Sequence, residues 1–270
     1  MDDDGTVGKT ISARSRVAFD PARDFLALDF DGVIVDSITE CLVASANAWS
    51  GSGGDGNRVL SPDAISAVKR REFRRLRCFA RYSEDFVYIQ QALAEGRRPA
   101  DQADFDAFTE QYRQRRDEYR ERFYRERDYL MNSYRKRWLE LNPFYPGMAD
   151  WLRHYPCLGR LAIISTKQAR YIRQILTASG IDLPAETINE ATFRLGKTVI
   201  IEALMQRRQL ACGQVYFIDD QLDNLVAARP TGVHLLLAGW GYNNRAQQRL
   251  ARQLGARVLS MAQFRALAAM

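Results

Sequence analysis

The sequence predicts an α/β protein built on a doubly wound parallel sheet, with a long and mostly helical insertion. Three observations carry that prediction. Uncharged runs at Phe25-Leu26-Ala27-Leu28, Leu161-Ala162-Ile163-Ile164 and Val215-Tyr216-Phe217-Ile218 read as strands buried on both faces. Helical stretches separate the later runs, the alternation that yields parallel strands. From about Ser61 to Leu141 no such run occurs, and the chain reads as helix.

Size and composition fit this class. The 270 residues suffice for one core domain with a large insertion. Hydrophobic content of 46% and charged content of 27% are those of an ordinary globular protein. No apolar run approaches the roughly 20 residues of a membrane span, and the acidic N-terminus lacks a secretory core. Cys41, Cys78, Cys157 and Cys212 form no paired motif, which points to reduced thiols and a cytoplasmic setting. The net charge of +6 is carried by arginine. Such a balance can attract nucleic acid or small polyanions, but codon bias and solvated helix faces are the favoured account.

Residues 1–22 are polar and aperiodic, and are expected to form a flexible tail. Gly5 to Thr10 has a superficial likeness to a P-loop. It fails because Asp3 stands where a glycine is needed and no strand precedes it. Phe25–Leu28 ends in Asp29, Asp31 and Gly32, and a helix over Ile38–Trp49 follows. The glycine-rich segment from Ser50 to Asn57 reads as a loop or hinge. Ser61-Pro62-Asp63 is a helix start, and Ser83–Ala94 forms a further helical segment, broken at Gly96. Asp104 to Leu141 contains neither Gly nor Pro. It is expected to be one helix of about 55 Å, or two with a break near Asp128. Its aromatic stripe, Phe105 through Trp138, reads as a packing seam. Among Arg70, Arg71, Arg74, Arg75, Arg77 and Arg81, some are expected to face a substrate anion. Later come helices at Ala169–Ala178 and Thr198–Gln206, a short strand at Thr187-Ile188, and a strand over Val233–Leu237. The lone histidines, His154 and His234, read as surface or packing residues.

The polar residues at the strand ends matter most. Asp29 and Asp31 sit two apart on extended backbone, so both can face one site. Buried carboxylates need a compensating cation, and in open α/β sheets the carboxyl ends of strands are where ligands bind. Ser165 and Thr166 follow the second long strand and can hold a phosphate oxygen. Asp219 and Asp220 follow the third, with Asn224 behind them. Lys197 opens a helix, where it opposes the helix dipole and gains nothing in stability. A site of carboxylates that takes a phosphate dianion calls for a hard divalent cation, and Mg2+ fits.

The order of these residues resembles the four motifs of the haloacid dehalogenase (HAD) superfamily, in its phosphoglycolate-phosphatase-like branch. Asp29-Phe30-Asp31-Gly32-Val33 with Asp36-Ser37 matches the first motif, Ser165 the second and Lys197 the third. Asp219-Asp220 with Asn224 matches the fourth, departing from the commoner Gly-Asp-x-x-x-Asp form at both ends. The resemblance covers about residues 25–49 and 143–260. It implies a Rossmann-like core (23–37 and 143–270) and a helical C1-type cap (38–142). It also implies a Mg2+-dependent phosphatase acting on a small soluble phosphate monoester. Asp29 is then the nucleophile and Asp31 the general acid and base. Asp29, Gly32, Ser165, Thr166 and Lys197 surround the phosphate. Asp29, Asp31 through its carbonyl, and Asp220 hold the metal, with Asp219 and Asn224 alongside. The rival readings are a sugar phosphomutase of the same superfamily and a non-enzymatic scaffold that binds nucleic acid or protein. Neither substrate nor oligomeric state is written in these motifs.

Overall fold

The uncharged runs become the centre of a six-stranded, wholly parallel sheet. The computed structural model describes residues 19–51 and 58–268. Of the expected tail over residues 1–22, residues 1–18 lie outside the described residues, as does the glycine-rich segment 52–57; the remainder is placed, with Phe19 buried against Tyr216 and a turn from Asp20 to Arg23. The strands are β1 (Phe25–Leu28), β2 (Leu161–Ser165), β3 (Ile188–Glu190), β4 (Val215–Asp219), β5 (His234–Ala238) and β6 (Arg257–Leu259). Their order is β3-β2-β1-β4-β5-β6. The strand order reverses on either side of β1, which places the switch-point crevice at its carboxyl end. Leu28 pairs with Ile163 on β2 and Ile218 on β4. The next residue, Asp29, donates its N–H to Ile218 O at 2.9 Å. This register brings the polar ends of β1, β2 and β4 level with one another. Each face of the sheet has its own core, one holding Leu26 and Leu28, the other Phe25 and Ala27.

Between β1 and β2 come α1 (Ile38–Ser50), α2 (Ala67–Leu76), α3 (Ser83–Ala94), α4 (Gln102–Glu110), α5 (Arg116–Ser133), α6 (Arg135–Glu140) and α7 (Met148–His154). Helices α1, α3 and α5 pack on one another. Two expectations are corrected here. The stretch after Asp104 is neither one rod nor a pair divided near Asp128. It breaks at Tyr112 and at Tyr134, both with non-helical backbone. These breaks fold the stripe inward: Phe105, Phe108, Tyr119, Phe123, Leu130 and Trp138 are all buried. Asp128 stays inside α5 and accepts the Tyr171 hydroxyl at 2.7 Å. Nor does Ser61-Pro62-Asp63 begin a long helix. It makes a single 3-10 turn, and α2 starts at Ala67, capped by Ser66, whose hydroxyl accepts from Lys69 N at 3.3 Å.

The later helices are α8 (Ala169–Ala178), α9 (Lys197–Arg208), α10 (Leu222–Ala228), α11 (Arg245–Gln253) and α12 (Met261–Ala268). Helix α12 was not anticipated. The three-residue spacing of Met261, Phe264 and Leu267 is its only sequence signal, and Phe264 packs against Trp151 and Trp240. His154 is exposed and His234 stacks on Tyr216, as expected of surface and packing residues.

The start of α3 yields a pH prediction. Asp85 Oδ2 accepts the N–H groups of Arg81 at 2.7 Å and Tyr82 at 2.9 Å. Burial, with the Glu84 charge adding to it, outweighs these donors and pushes the Asp85 carboxyl up to about 6. A carboxyl raised above its unfolded value contributes stability that is present at low pH and lost as pH rises through about 6. Wild type is therefore expected to lose about 2–3 kcal/mol relative to Asp85→Asn between pH 4 and 7. Urea melts of both proteins across that range check this; parallel curves would refute it.

Candidate active site

The polar ends of β1, β2 and β4 meet in one cleft with the start of α9. It measures about 460 Å³ including its open mouth, and its wall includes Asp29, Asp31, Ser165, Thr166, Lys197 and Asp220. Asn224 also lines it, while Gly32 and Asp219 lie just behind.

Lys197 is the hub. Its ammonium lies 2.8 Å from Asp29 Oδ2 and 2.7 Å from Asp219 Oδ2. It is buried, and although burial works against its charge, Asp219 and Asp29 hold its pKa well above the ordinary lysine value. This explains a lysine at a helix N-terminus: the carboxylates, not the helix, stabilise it. Asp219 is saturated, since it also accepts Gln221 N at 2.8 Å and Asn224 Nδ2 at 3.1 Å. Asn224 thus reaches the site through Asp219, with its amide nitrogen turned to that carboxylate.

Asp220 is different. Its Oδ2 accepts Tyr242 N at 2.7 Å, but its Oδ1 is buried with no hydrogen-bond partner. Asp29, Asp219 and Asp220 each bring one carboxylate oxygen within 4.8 Å of the others. Burial, followed by the Asp29 charge, pushes Asp220 up to about 8. Burial raises Asp29 to about 6, against the pull of Lys197. Carboxylates packed this tightly do not all ionise without another cation. An orphaned carboxylate oxygen beside a second carboxylate, in an all-oxygen donor set, fits a hard divalent ion. The chain is tight around Asp220. Gly32, at φ +86°, and Gly241 both abut it, and a Cβ on either would collide with its side chain.

Asp31 has partners that sequence reasoning missed. Lys167 Nζ lies 3.1 Å from Asp31 Oδ1, 3.2 Å from Asn142 Oδ1 and 3.8 Å from Glu40 Oε2. Glu40 in turn receives a two-pronged contact from Arg127, Nε at 2.8 Å and Nη2 at 2.7 Å. Burial alone would raise Asp31, but Lys167 and then Arg127 outweigh it and hold the carboxylate below its ordinary range. Of the six arginines offered as anion binders, Arg77 and Arg81 line the cleft. Arg70 instead donates to the carbonyls of Pro62 and Ile65, and Arg75 to that of Pro99. Arg71 is exposed beside Glu72, and Arg74 lies 4.0 Å from Asp36. Ser165 is buried and its hydroxyl accepts Lys167 N at 3.3 Å.

An open parallel sheet with carboxylates and a lysine gathered at its switch point defines a Rossmann-like α/β protein. Comparison with solved structures narrows the class. A HAD family hydrolase from Deinococcus radiodurans, solved with bound phosphate and sodium, superposes with a TM-score of 0.53 at 19% identity, covering 92% of this chain and 95% of that one. A haloacid dehalogenase-like hydrolase from Streptococcus pneumoniae gives 0.52 at 16% identity, covering 91% and 97%. A predicted phosphoglycolate phosphatase from Haemophilus somnus gives 0.51 at 16% identity, covering 82% and 88%. No family model matches the chain, and no curated protein matches it in sequence. At these identities the likeness is one of fold: the chain has the fold of the HAD superfamily. Among the described residues no helix is long and apolar enough to cross a membrane.

Proposed function

We propose that this protein is a Mg2+-dependent phosphatase that hydrolyses a small phosphate monoester through an aspartyl-phosphate on Asp29. The observation that carries this is the pairing of Asp29, gripped by Lys197, with the orphaned Asp220 oxygen in one cleft. Residues 38–142 act as the cap, and residues 23–37 with 143–270 as the core. All four cysteines are free thiols, in keeping with a cytoplasmic setting.

Asp29, Asp220 and the Asp31 carbonyl would hold Mg2+. When bound, the ion offsets carboxylate charge so that a phosphate dianion can approach. A carboxylate oxygen of Asp29 attacks phosphorus as the bond to the leaving oxygen breaks. Asp31 gives that oxygen a proton. In the second half Asp31 takes a proton from water, the water oxygen attacks phosphorus, and inorganic phosphate leaves with Asp29 restored. Lys167 and the charges behind it favour the ionised Asp31 that this second half requires, and the proton it takes from water readies it for the next leaving oxygen. Lys197, Ser165 and Thr166 hold the phosphoryl oxygens as charge develops. Asp219 and Asn224 position Lys197.

The test is phosphate release from p-nitrophenyl phosphate and a panel of metabolite phosphates, with Mg2+ and with EDTA. Activity is expected with the metal and not without it. Saturating Mg2+ is also expected to raise the thermal midpoint, since a ligand at 100 times its Kd adds about 2.7 kcal/mol. Absence of both turnover and Mg2+ binding by titration refutes the reading. Steady release of inorganic phosphate from a sugar phosphate separates it from a mutase.

A further inference from the structure

The net charge of +6 is not spread along the chain. Residues 1–223 hold 33 basic and 33 acidic side chains, whereas residues 224–270 hold six arginines and neither Asp nor Glu. The whole excess therefore lies in the segment that runs from α10 to α12. A charge asymmetry of this kind marks a surface for a polyanion when its members share one face.

Three of the six stand on α11, at Arg245, Arg249 and Arg252. Steps of four and three residues put them on one side of the helix, spread over about 10 Å of its axis. All three are exposed. Among the described residues none of them has a carboxylate partner, and Arg252 Nη1 donates to Gln248 O of its own helix at 3.2 Å. Arginines on α5 are treated otherwise: Arg120 meets Glu84 at 2.8 Å, Arg122 meets Glu118 at 2.6 Å and Arg127 meets Glu40 at 2.7 Å. Helix stability does not account for the α11 set. Like charges four and three residues apart repel. Arg245 stands at the first helical position, against the dipole, in a first turn without an acid. Asn244 and Gln247 cap the helix without help from charge. The packed neighbours add no compensation. Helix α11 lies on α10 and β6. Strand β6 opens with Arg257, and the acid of α10, Asp223, is held by Arg81 Nε at 2.6 Å. None of the three arginines lines the cleft.

We infer that the outer face of α11 is a docking surface for the phosphodiester backbone of a nucleic acid duplex. Charge complementarity selects this partner: charge of one sign repeats along a rigid axis, and so do the phosphates. The guanidinium fork suits phosphate oxygens. The contact is with backbone rather than bases, since α11 has no aromatic residue to stack on a base. A bilayer suits this face less well, because Leu250 is the one large apolar side chain exposed among the described residues of α11. A protein partner would meet the same lack of an apolar centre. The surface is independent of the phosphatase reading.

Fluorescence anisotropy of the full-length protein with short DNA and RNA duplexes tests this. The duplex ends carry hydroxyls in place of phosphates, so the cleft is offered no monoester. Wild type is expected to bind with a Kd of about 10⁻⁴–10⁻⁶ M near physiological salt, with a log–log salt slope of about −3 for three neutralised phosphates. The tighter duplex tells DNA from RNA. Arg245→Gln with Arg249→Gln and Arg252→Gln is expected to weaken binding about tenfold or more at low salt and to remove most of the slope. Glutamine has a helix propensity close to that of arginine. A control, Arg97→Gln with Arg98→Gln and Arg125→Gln, removes the same charge from exposed residues of the insertion. It is expected to stay within about twofold of wild type. Absence of binding by wild type, intact binding in the α11 variant, or an equal loss in the control overturns the inference. So does tighter binding of wild type to phosphatidylserine vesicles or to poly-glutamate than to either duplex. Should the combined α11 variant fail to show a cooperative melt, the three single variants decide, each expected to reduce the slope by about one.

Discussion

Asp29→Asn is expected to lower kcat for p-nitrophenyl phosphate by about a thousandfold or more, with the folded state intact. Among the described residues, Asp29 is the cleft-lining carboxylate in contact with Lys197, which the proposed function sets against the phosphate. Its Oδ1 accepts Phe30 N at 2.7 Å, and Oδ2 meets Lys197 at 2.8 Å. An amide keeps the shape and one acceptor, so Lys197 loses one of two carboxylates but retains Asp219 at 2.7 Å. An amide oxygen is a poor nucleophile toward phosphorus, so the covalent step is removed rather than slowed by misalignment. Two measurements check this: steady-state release of p-nitrophenol, and trapping of phosphoprotein by acid quench in wild type but not in the variant. More than a tenth of wild-type activity in Asp29→Asn would remove Asp29 from the nucleophile's role.

The second large effect is on stability. Arg127→Met is expected to destabilise the fold by about 3–5 kcal/mol, read from urea unfolding at neutral pH. Arg127 and Glu40 are both buried, and their two-pronged contact joins α5 to α1. Removing the guanidinium leaves Glu40 with Lys167 at 3.8 Å, an ammonium already held by Asp31, and the weak Cys41 thiol donor at 3.7 Å. The cost is that of a stranded charge, not of a lost pair. Arg127→Met with Glu40→Gln is accordingly expected to recover much of the loss, since a neutral pair needs no ionic partner. Burial would raise Glu40, but Arg127 and Lys167 together hold it below its ordinary range. That contribution is present above the unfolded carboxyl value and is lost as pH falls below it, so the stability gap between wild type and Arg127→Met narrows in acid. A loss below about 1 kcal/mol would show that the pair is solvated in solution.

Residues at strand ends were legible in the sequence because position there is a local fact. An uncharged run fixes where the sheet lies, and an acid at its edge has few explanations, so Asp29, Asp31, Ser165, Asp219 and Asp220 stood out. Lys197 did so because it opposed its own helix. The residues behind them were not legible. Glu40 and Arg127 are 87 positions apart, and nothing local in either marks it as buried. Lys167 follows Ser165 closely, yet polar residues after a strand usually serve the turn. The choice of Arg77 over Arg70, Arg71, Arg74 and Arg75 depends on a 3-10 turn that ends α2 and redirects the chain. The helix breaks at Tyr112 and Tyr134 lack the Gly or Pro that would announce them. At Tyr134, burial of Trp138 just beyond the break overrides local propensity.

Gly32 and Gly241 close on Asp220 so tightly that a methyl group on either would strike it. A carboxylate confined in this way cannot swing outward to follow a larger ion. In the proposed site its position would be set by main chain on two sides, whichever cation it held. Magnesium takes its oxygens at about 2.0–2.1 Å and calcium at about 2.3–2.6 Å, usually with more ligands and looser geometry. In the proposed site the choice between these two abundant ions of equal charge becomes a matter of radius, enforced by two residues that have no side chain at all.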